Sequence, residues 1–129
     1  MNAKILASVL AVALVMTIGI AHVNAGGSGE KGIVVGTAVE LSTYAMKGLG
    51  EGSIEEMQSR AAQGFPVGII EEGSGDLWVC VYKNSAPASG LETANEKMSE
   101  LLGQQVAVQG MKFKSSGVNL VRFSIIAEY

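Results

Sequence analysis

Five segments of the chain are rich in β-branched, aliphatic and aromatic residues, and in some of them polar and apolar positions alternate with a period of two residues, which is typical of β-strands. The clearest example is residues 77–82, where aliphatic residues alternate with Trp78, Cys80 and Tyr82. Short turns rich in glycine, serine and acidic residues follow two of the segments, at residues 71–76 and 115–117, and predict two hairpins. The predicted strands comprise residues 32–45, 67–70, 77–82, 104–114 and 118–126.

Two further segments have the period of an amphipathic helix. Residues 53–62 begin with Ser53 and Glu56, which match a capping box, and Gly64 follows the predicted end. Residues 93–102 begin with Thr93 and Glu96 in the same spacing and are followed by a glycine. These signals predict one helix between strands 1 and 2 and another between strands 3 and 4.

The apolar phase of the fourth predicted strand changes at Gly110. Val106 and Val108 lie on one phase before this glycine, and Met111 and Phe113 lie on the other phase after it. A one-residue change of phase at a glycine is typical of a β-bulge, which bends a strand and helps a sheet to close into a small barrel. The closing hairpin is therefore predicted to complete a barrel.

The order of elements resembles an OB-fold, a five-stranded Greek-key barrel. The resemblance rests on a long first strand with a possible bend at Gly36, the hairpin of residues 66–82, the helix of residues 93–102 and the closing hairpin. The predicted fold class is all-β with short helices, as a five-stranded OB-fold-like barrel with a helix between strands 3 and 4. In layout the chain is similar to exported bacterial OB-fold proteins and to nucleic-acid-binding OB domains. The helix at residues 53–62 departs from this layout.

The N-terminal segment matches a secretory signal peptide. Lys4 precedes a largely apolar run, and Ala25 ends a small-residue cleavage pattern. We expect residues 1–25 to be the signal peptide, residues 26–31 a flexible linker and residues 32–129 the OB-fold-like domain. The mature protein is then periplasmic or secreted and has no membrane span. A retained membrane anchor is the alternative, because the apolar run approaches the length that spans a bilayer.

Charge and cysteine content limit the classes of partner. The chain has nine Lys and Arg against twelve Asp and Glu, and the loss of Lys4 with the signal peptide makes the mature domain more acidic. An acidic domain has no general attraction to nucleic acid or to anionic membranes. Cys80 is the single cysteine, so an internal disulfide is excluded. We expect Cys80 to be buried, with pairing between two chains as the alternative.

The mature sequence has no catalytic signature, and we expect no enzymatic activity, cofactor or metal. The only histidine, His22, belongs to the predicted signal peptide, so the mature chain has no imidazole base or haem-attaching histidine. The acidic turn at residues 71–76 lacks the alternating oxygen ligands of a calcium loop. The methionines are scattered, which indicates core residues rather than copper ligands.

The OB-fold resemblance implies a ligand-binding surface on strands 2 and 3 and in the loops that join strands 1 to 2 and 4 to 5. Carried onto this chain, the candidate ligand-binding residues are Trp78, Tyr82, Lys112, Lys114 and Arg122. Stacking on the two rings requires that they be exposed. The alternative is that Trp78 and Tyr82 are core residues and that the lysines are solvated strand positions.

These observations predict an exported, non-catalytic OB-fold binding or accessory module of the bacterial envelope. It acts through an envelope protein partner or a small ligand. One alternative is an oligosaccharide- or single-stranded nucleic-acid-binding domain, of which the nucleic-acid form is disfavoured by acidic charge and export. Another is a structural subunit that assembles through its sheet edges. The oligomeric state stays open.

Overall fold

The computed structural model describes residues 29–83 and 92–129. The predicted signal peptide and the first half of the predicted linker lie outside the described residues, as does most of the loop that precedes the second predicted helix. Within the described ranges, no helix combines the length and the apolar character needed to cross a bilayer.

Five strands close into a barrel in the order β1-β2-β3-β5-β4. All neighbouring strands are antiparallel except β3 and β5, which are parallel. This arrangement confirms the predicted OB-fold-like barrel, all-β with short helices. The strands are β1 (Glu30–Glu40), β2 (Val67–Glu71), β3 (Leu77–Tyr82), β4 (Gln105–Ser115) and β5 (Val118–Glu128). The helices are α1 (Leu41–Lys47), α2 (Ser53–Ala62) and α3 (Ala94–Met98), and α3 continues into a 3-10 turn (Ser99–Leu101) between β3 and β4.

The core lies inside the barrel and extends under the helices. Met57 of α2, Met98 of α3 and Leu102 pack into the same cluster as the inward side chains of the strands. The helices precede β2 and β4, so they cover the barrel end at which β1 finishes. The buried strand residues include Val34, Ala38, Ile69, Trp78, Cys80, Tyr82, Val106, Val108, Val121 and Phe123.

The first strand is shorter than predicted, because the chain turns into helix α1 after Glu40. The Glu40 carboxylate caps this helix: Oε1 accepts a hydrogen bond from the Ser42 amide at 2.9 Å, and Oε2 accepts one from the Thr43 amide at 2.9 Å. Glu40 is fully buried. The prediction of a continuous strand over residues 32–45 was therefore wrong, since a buried carboxylate satisfied the amides of the first helical turn.

Helix α2 has the predicted bounds, but its predicted capping box is wrong. Gly52 is the N-cap residue, and the Ser53 hydroxyl donates a hydrogen bond to the Gly50 carbonyl at 2.6 Å instead of accepting one. Glu56 forms ion pairs with Lys47 at 2.5 Å and Arg60 at 3.1 Å. The carboxylate therefore joins α1 to α2.

Helix α3 is capped as predicted. The Thr93 hydroxyl accepts a hydrogen bond from the Glu96 amide at 3.2 Å. The α-helix changes to a 3-10 turn after Met98. Gly103, with φ of +85°, ends this segment before β4 begins. Its left-handed conformation is the one that glycine adopts without strain.

The predicted irregularity at Gly110 is present, but the extra residue belongs to β5. Gln109 pairs with Ile125 and Gly110 pairs with Phe123, which leaves Ser124 without a partner. The inward phase of β4 consequently continues through Gly110 to Lys112 and Lys114, whose side chains lie over the buried Trp78 ring. Met111 and Phe113 face outward. The apolar residues of β4 move from the inward to the outward positions at Gly110 because the outer face of the strand is apolar from there on. The alternation of inward and outward side chains along β4 does not change.

Gly36 and Gly110 allow the close strand contacts that closure requires. A Cβ atom at Gly36 would lie 2.0 Å from the Ile70 carbonyl oxygen, and one at Gly110 would lie 2.1 Å from the Arg122 carbonyl oxygen. Gly36 pairs with residues of both β2 and β4, so β1 passes from one neighbour to the other at this point. Both glycines are structural requirements of the barrel.

Candidate anion-binding groove

The five predicted ligand-binding residues lie in three different places. Trp78, Lys112 and Lys114 meet at the barrel end opposite the helices. Tyr82 lies in the core at the other end of β3, and Arg122 lies on the outer face of β5. The structure therefore brings together three of the predicted residues and separates the other two from them.

The Trp78 indole ring is covered by lysines. Its residue is 1 % exposed, and the Nζ atoms of Lys112 and Lys114 lie 4.8 and 5.4 Å from the ring centroid. Both distances are typical of cation–π contacts. A nucleobase or sugar ring can stack on Trp78 only after these side chains move. The burial of Trp78 agrees with the alternative that it is a core residue.

A carboxylate completes the cluster around Trp78. Glu71 accepts a hydrogen bond from the Ser74 hydroxyl at 2.8 Å. This hydrogen bond lowers the pKa of Glu71 below its usual value. Burial opposes the shift, and Trp78, Lys112 and Lys114 add to it. The Trp78 N–H faces this carboxylate closely enough to affect its pKa, but within the described residues no acceptor is in hydrogen-bonding geometry with it. The cluster closes this end of the barrel and carries one more positive charge than negative.

Tyr82 is also a core residue. It is 8 % exposed, and its ring centroid lies 5.3 Å from that of Phe123 at an interplanar angle of 57°. The Nζ atoms of Lys83 and Lys97 lie 5.1 and 5.2 Å from the Tyr82 ring centroid. The Tyr82 ring is therefore in cation–π contact with two lysines and presents no exposed face for stacking.

A concave surface lies on the outer face of the barrel, where β4 and β5 meet at the bulge. Its volume is about 620 Å³. Three of its lining residues are basic and none is acidic. The lining, which we call the basic groove, consists of Lys31, Gly32, Ile33, Lys83, Gln109, Gly110, Met111, Arg122, Phe123 and Ser124.

Strand pairing sets the positions of two of the groove's cations. Lys31 of β1 pairs with Met111 of β4, and Met111 pairs with Arg122 of β5. Directly paired residues point to the same side of a sheet, so the three side chains form a row on the outer face. Adjacent strands lie about 4.8 Å apart, which separates the backbones of Lys31 and Arg122 by roughly 10 Å. This distance lets both side chains reach one ligand.

The third cation, Lys83, directly follows β3. Its backbone amide donates a hydrogen bond to the Phe123 carbonyl at 3.0 Å, and its φ of +33° is unusual for a residue other than glycine. Hydrogen bonding and charge interaction with the Tyr82 side chain raise the pKa of Lys83. The amine is therefore charged over the whole physiological range. Strained backbone often accompanies a functional position.

Lys31 and Arg122 are the groove's cations most available to a ligand, because the Lys83 amine already contacts the Tyr82 ring and interacts with the Glu92 carboxylate. Among the ion pairs between described residues, none includes Lys31, Lys83 or Arg122. The Arg122 guanidinium lies 5.7 Å from the Phe113 ring centroid, a cation–π contact that leaves its charge unneutralised. Oxygen atoms of a carboxylate or phosphate are the natural partners of such a group.

Of the three cations that line the basic groove, the sequence pattern singled out Arg122 as a candidate but not Lys31 or Lys83. Lys31 was assigned to the linker, although β1 begins at Glu30, and Lys83 was assigned to a loop. Lys31 lies on the same strand phase as Ile33 and Val35, which was a weak signal that the strand starts earlier. Nothing in the sequence indicated that the three cations share a cavity, because their proximity depends on strand register.

A second concave surface adjoins the basic groove. It has a volume of about 360 Å³ and is lined by Phe113, Ser115, Val118, Leu120 and Arg122. We call it the apolar groove. Arg122 belongs to both grooves and therefore forms their boundary.

The described residues offer little for metal chemistry: across residues 29–83 and 92–129, no three His, Cys, Asp or Glu side chains are grouped so that they could hold a metal ion. Cys80 is buried as predicted, and burial raises the pKa of its thiol. Comparisons of the chain with protein-family models, with curated proteins and with solved structures found no match.

Proposed function

We propose that this protein is an exported, non-catalytic binding module that holds a small anionic ligand in the basic groove. The observation that carries the proposal is the convergence of Lys31, Lys83 and Arg122 on one cavity without an acidic lining residue. The chain as a whole has a net charge of −3. A local excess of positive charge in an acidic protein is consistent with selection for an anion at that place.

The dimensions and chemistry of the groove support a small ligand. Its volume of about 620 Å³ lies within the range of small-molecule sites. Arg122 offers a planar pair of N–H donors, which suits two oxygens of one carboxylate or phosphate. Lys31, from β1, and Lys83, directly after β3, add ammonium donors on the two sides of Arg122. The Lys83 amine must turn away from the Tyr82 ring to reach the anion. These groups can surround an anion from three directions.

Binding without reaction is supported by the residues that line the groove. They include one hydroxyl, from Ser124, and no carboxylate, imidazole or thiol that could activate it. Export is supported by the sequence around Lys4 and Ala25, which matches a signal peptide and its cleavage site. We therefore propose a periplasmic or secreted location for the module and retain its resemblance to exported OB-fold proteins.

A single-stranded nucleic acid is a less favoured ligand. Its recognition generally depends on exposed aromatic rings beside a basic track. Trp78 and Tyr82, the rings expected to serve this purpose, are 1 % and 8 % exposed. The basic groove also lies on the outer face of β1, β4 and β5, away from the surface implied by the OB-fold resemblance.

Titration with inorganic pyrophosphate at low ionic strength tests the proposal. We expect calorimetry to detect binding and Arg122→Gln to weaken it about tenfold, the effect of losing one strong charge-assisted interaction. Lys114→Gln is the matched control, because it removes the same charge from the Trp78 cluster. We expect that control to stay within about twofold of the wild type.

Two results would count against the basic groove. Absence of pyrophosphate binding at millimolar concentration would contradict an anion site. Equal weakening by Arg122→Gln and Lys114→Gln would indicate a general charge effect or a site at Trp78. Circular dichroism of both variants would verify that the barrel remains folded.

A further inference from the structure

Apolar side chains surround the basic groove on the outer face of the barrel. Ile33 and Ile125 are both 57 % exposed, and each pairs with Gln109 of β4. Val118, at the start of β5, is 58 % exposed. Single exposed aliphatic residues are common, but several exposed apolar side chains beside a charged groove are typical of an interaction site.

The cavity that continues from the basic groove past Arg122 has mostly apolar walls. The apolar groove, of about 360 Å³, extends from Arg122 along β5 past Leu120 to Val118, with Phe113 as its other wall. On the opposite side, the Ile33 and Ile125 side chains are separated by the polar Gln109. The surface that continues from the cations is therefore directed towards Val118.

We propose that the ligand of the basic groove is an amphipathic anion with a hydrocarbon chain. Its acid group lies among Lys31, Lys83 and Arg122, and its chain lies in the apolar groove against Phe113 and Val118. This inference rests on the proposed function and specifies the class of ligand. The positive charge of the basic groove favours the acid group, and the apolar walls of the apolar groove favour the hydrocarbon chain.

Other classes of ligand use only part of this surface. An inorganic anion contacts the cations but leaves the apolar groove in water. A neutral lipid buries the apolar groove but leaves three cations without a counter-charge. Val118 lies four residues from Arg122, or about 13 Å along the strand. This length accommodates an extended chain of about ten carbon atoms.

A series of alkyl phosphates with one head group tests the inference on the full mature chain. Methyl, butyl and octyl phosphate would be titrated by calorimetry at low ionic strength, together with octan-1-ol. Burial of hydrocarbon in an open groove predicts a gain in affinity of about threefold for each pair of added CH₂ groups. Octyl phosphate, with seven more CH₂ groups than methyl phosphate, should therefore bind roughly 50-fold more tightly, and octan-1-ol should bind more weakly than octyl phosphate.

A pair of substitutions by threonine locates the hydrocarbon chain. Val118→Thr should weaken octyl phosphate about threefold and leave methyl phosphate unchanged, because it adds a hydroxyl to the apolar wall. Ile125→Thr is the control, since Ile125 is equally exposed and on the same strand but lies outside the apolar groove. It should leave both ligands unchanged. Equal effects of the two substitutions would overturn the placement of the chain.

The series separates this inference from the function on which it rests. Equal affinities for methyl and octyl phosphate would overturn the amphipathic ligand while the anion site stands. Octan-1-ol binding as tightly as octyl phosphate would show adsorption without recognition of the acid and would also overturn it. If neither pyrophosphate nor any alkyl phosphate binds, both proposals fail.

Discussion

Replacement of Gly110 by alanine tests the close contact between β4 and β5 that bends the barrel beside the basic groove. A Cβ atom at this position would lie 2.1 Å from the Arg122 carbonyl oxygen and 2.6 Å from the Phe123 Cα atom. Both are backbone atoms, so no change of rotamer relieves the overlap. The two strands must therefore move apart.

The magnitude follows from the size of that movement. Normal carbon–oxygen contacts begin near about 3.2 Å, so the strands must separate by roughly 1 Å. Such a shift lengthens adjacent ladder hydrogen bonds beyond their effective range and loosens the core beneath them. Two weakened hydrogen bonds at about 1 kcal/mol each, together with lost packing, predict a decrease of about 3–4 kcal/mol in the free energy of unfolding. This is a large fraction of the roughly 5–15 kcal/mol that stabilises a typical domain.

Equilibrium unfolding in urea, followed by the fluorescence of the buried Trp78, measures the change. Gly50→Ala is the matched control, because the nearest atom to its added Cβ is the Lys47 carbonyl oxygen at 3.8 Å. We expect this control to be neutral or to stabilise the protein by up to about 1 kcal/mol. If Gly110→Ala differs from Gly50→Ala by less than about 0.5 kcal/mol, the close contact does not determine the barrel geometry.

Three further predictions concern capping, the thiol and export. Burial disfavours ionisation of Glu40, but hydrogen bonds from Ser42 and Thr43 outweigh it and hold the pKa below the ordinary 4.5. Its charge thus stabilises the fold above pH 4.5, and this contribution is lost as the pH falls through the folded pKa. Glu40→Gln should lower the unfolding free energy by about 1–3 kcal/mol at pH 7, and by less at pH 3 in urea titrations; a constant difference would contradict this account. The Cys80 thiol, buried and with a raised pKa, should react with Ellman's reagent at least about 100-fold more slowly in the native than in the unfolded protein; equal rates would show that it is accessible. Mass spectrometry of the expressed protein from a periplasmic fraction should find Gly26 as the first residue, whereas an intact N-terminus in the membrane fraction would favour a retained anchor.

Local sequence signals were sufficient for most of the fold. The alternation in β3, the bounds of α2 and the Thr93 cap were predicted correctly because each depends on residues within a few positions of one another. Glycine near a change of apolar phase also located the register shift at Gly110. The end of β1 was missed, since the helix after it depends on a buried glutamate that does not resemble a usual N-cap residue.

The sequence by itself determined a five-stranded barrel with helices before β2 and β4, because period and turn chemistry are properties of short segments. Only the tertiary structure decided which side chains lie together on the surface of the barrel. The unpaired Ser124 keeps Lys112 and Lys114 on the inward phase over Trp78, which removes them from the outer face. Pairing of β1, β4 and β5 brings Lys31 and Arg122 to one cavity. Such groupings depend on register between distant segments, which no local pattern specifies.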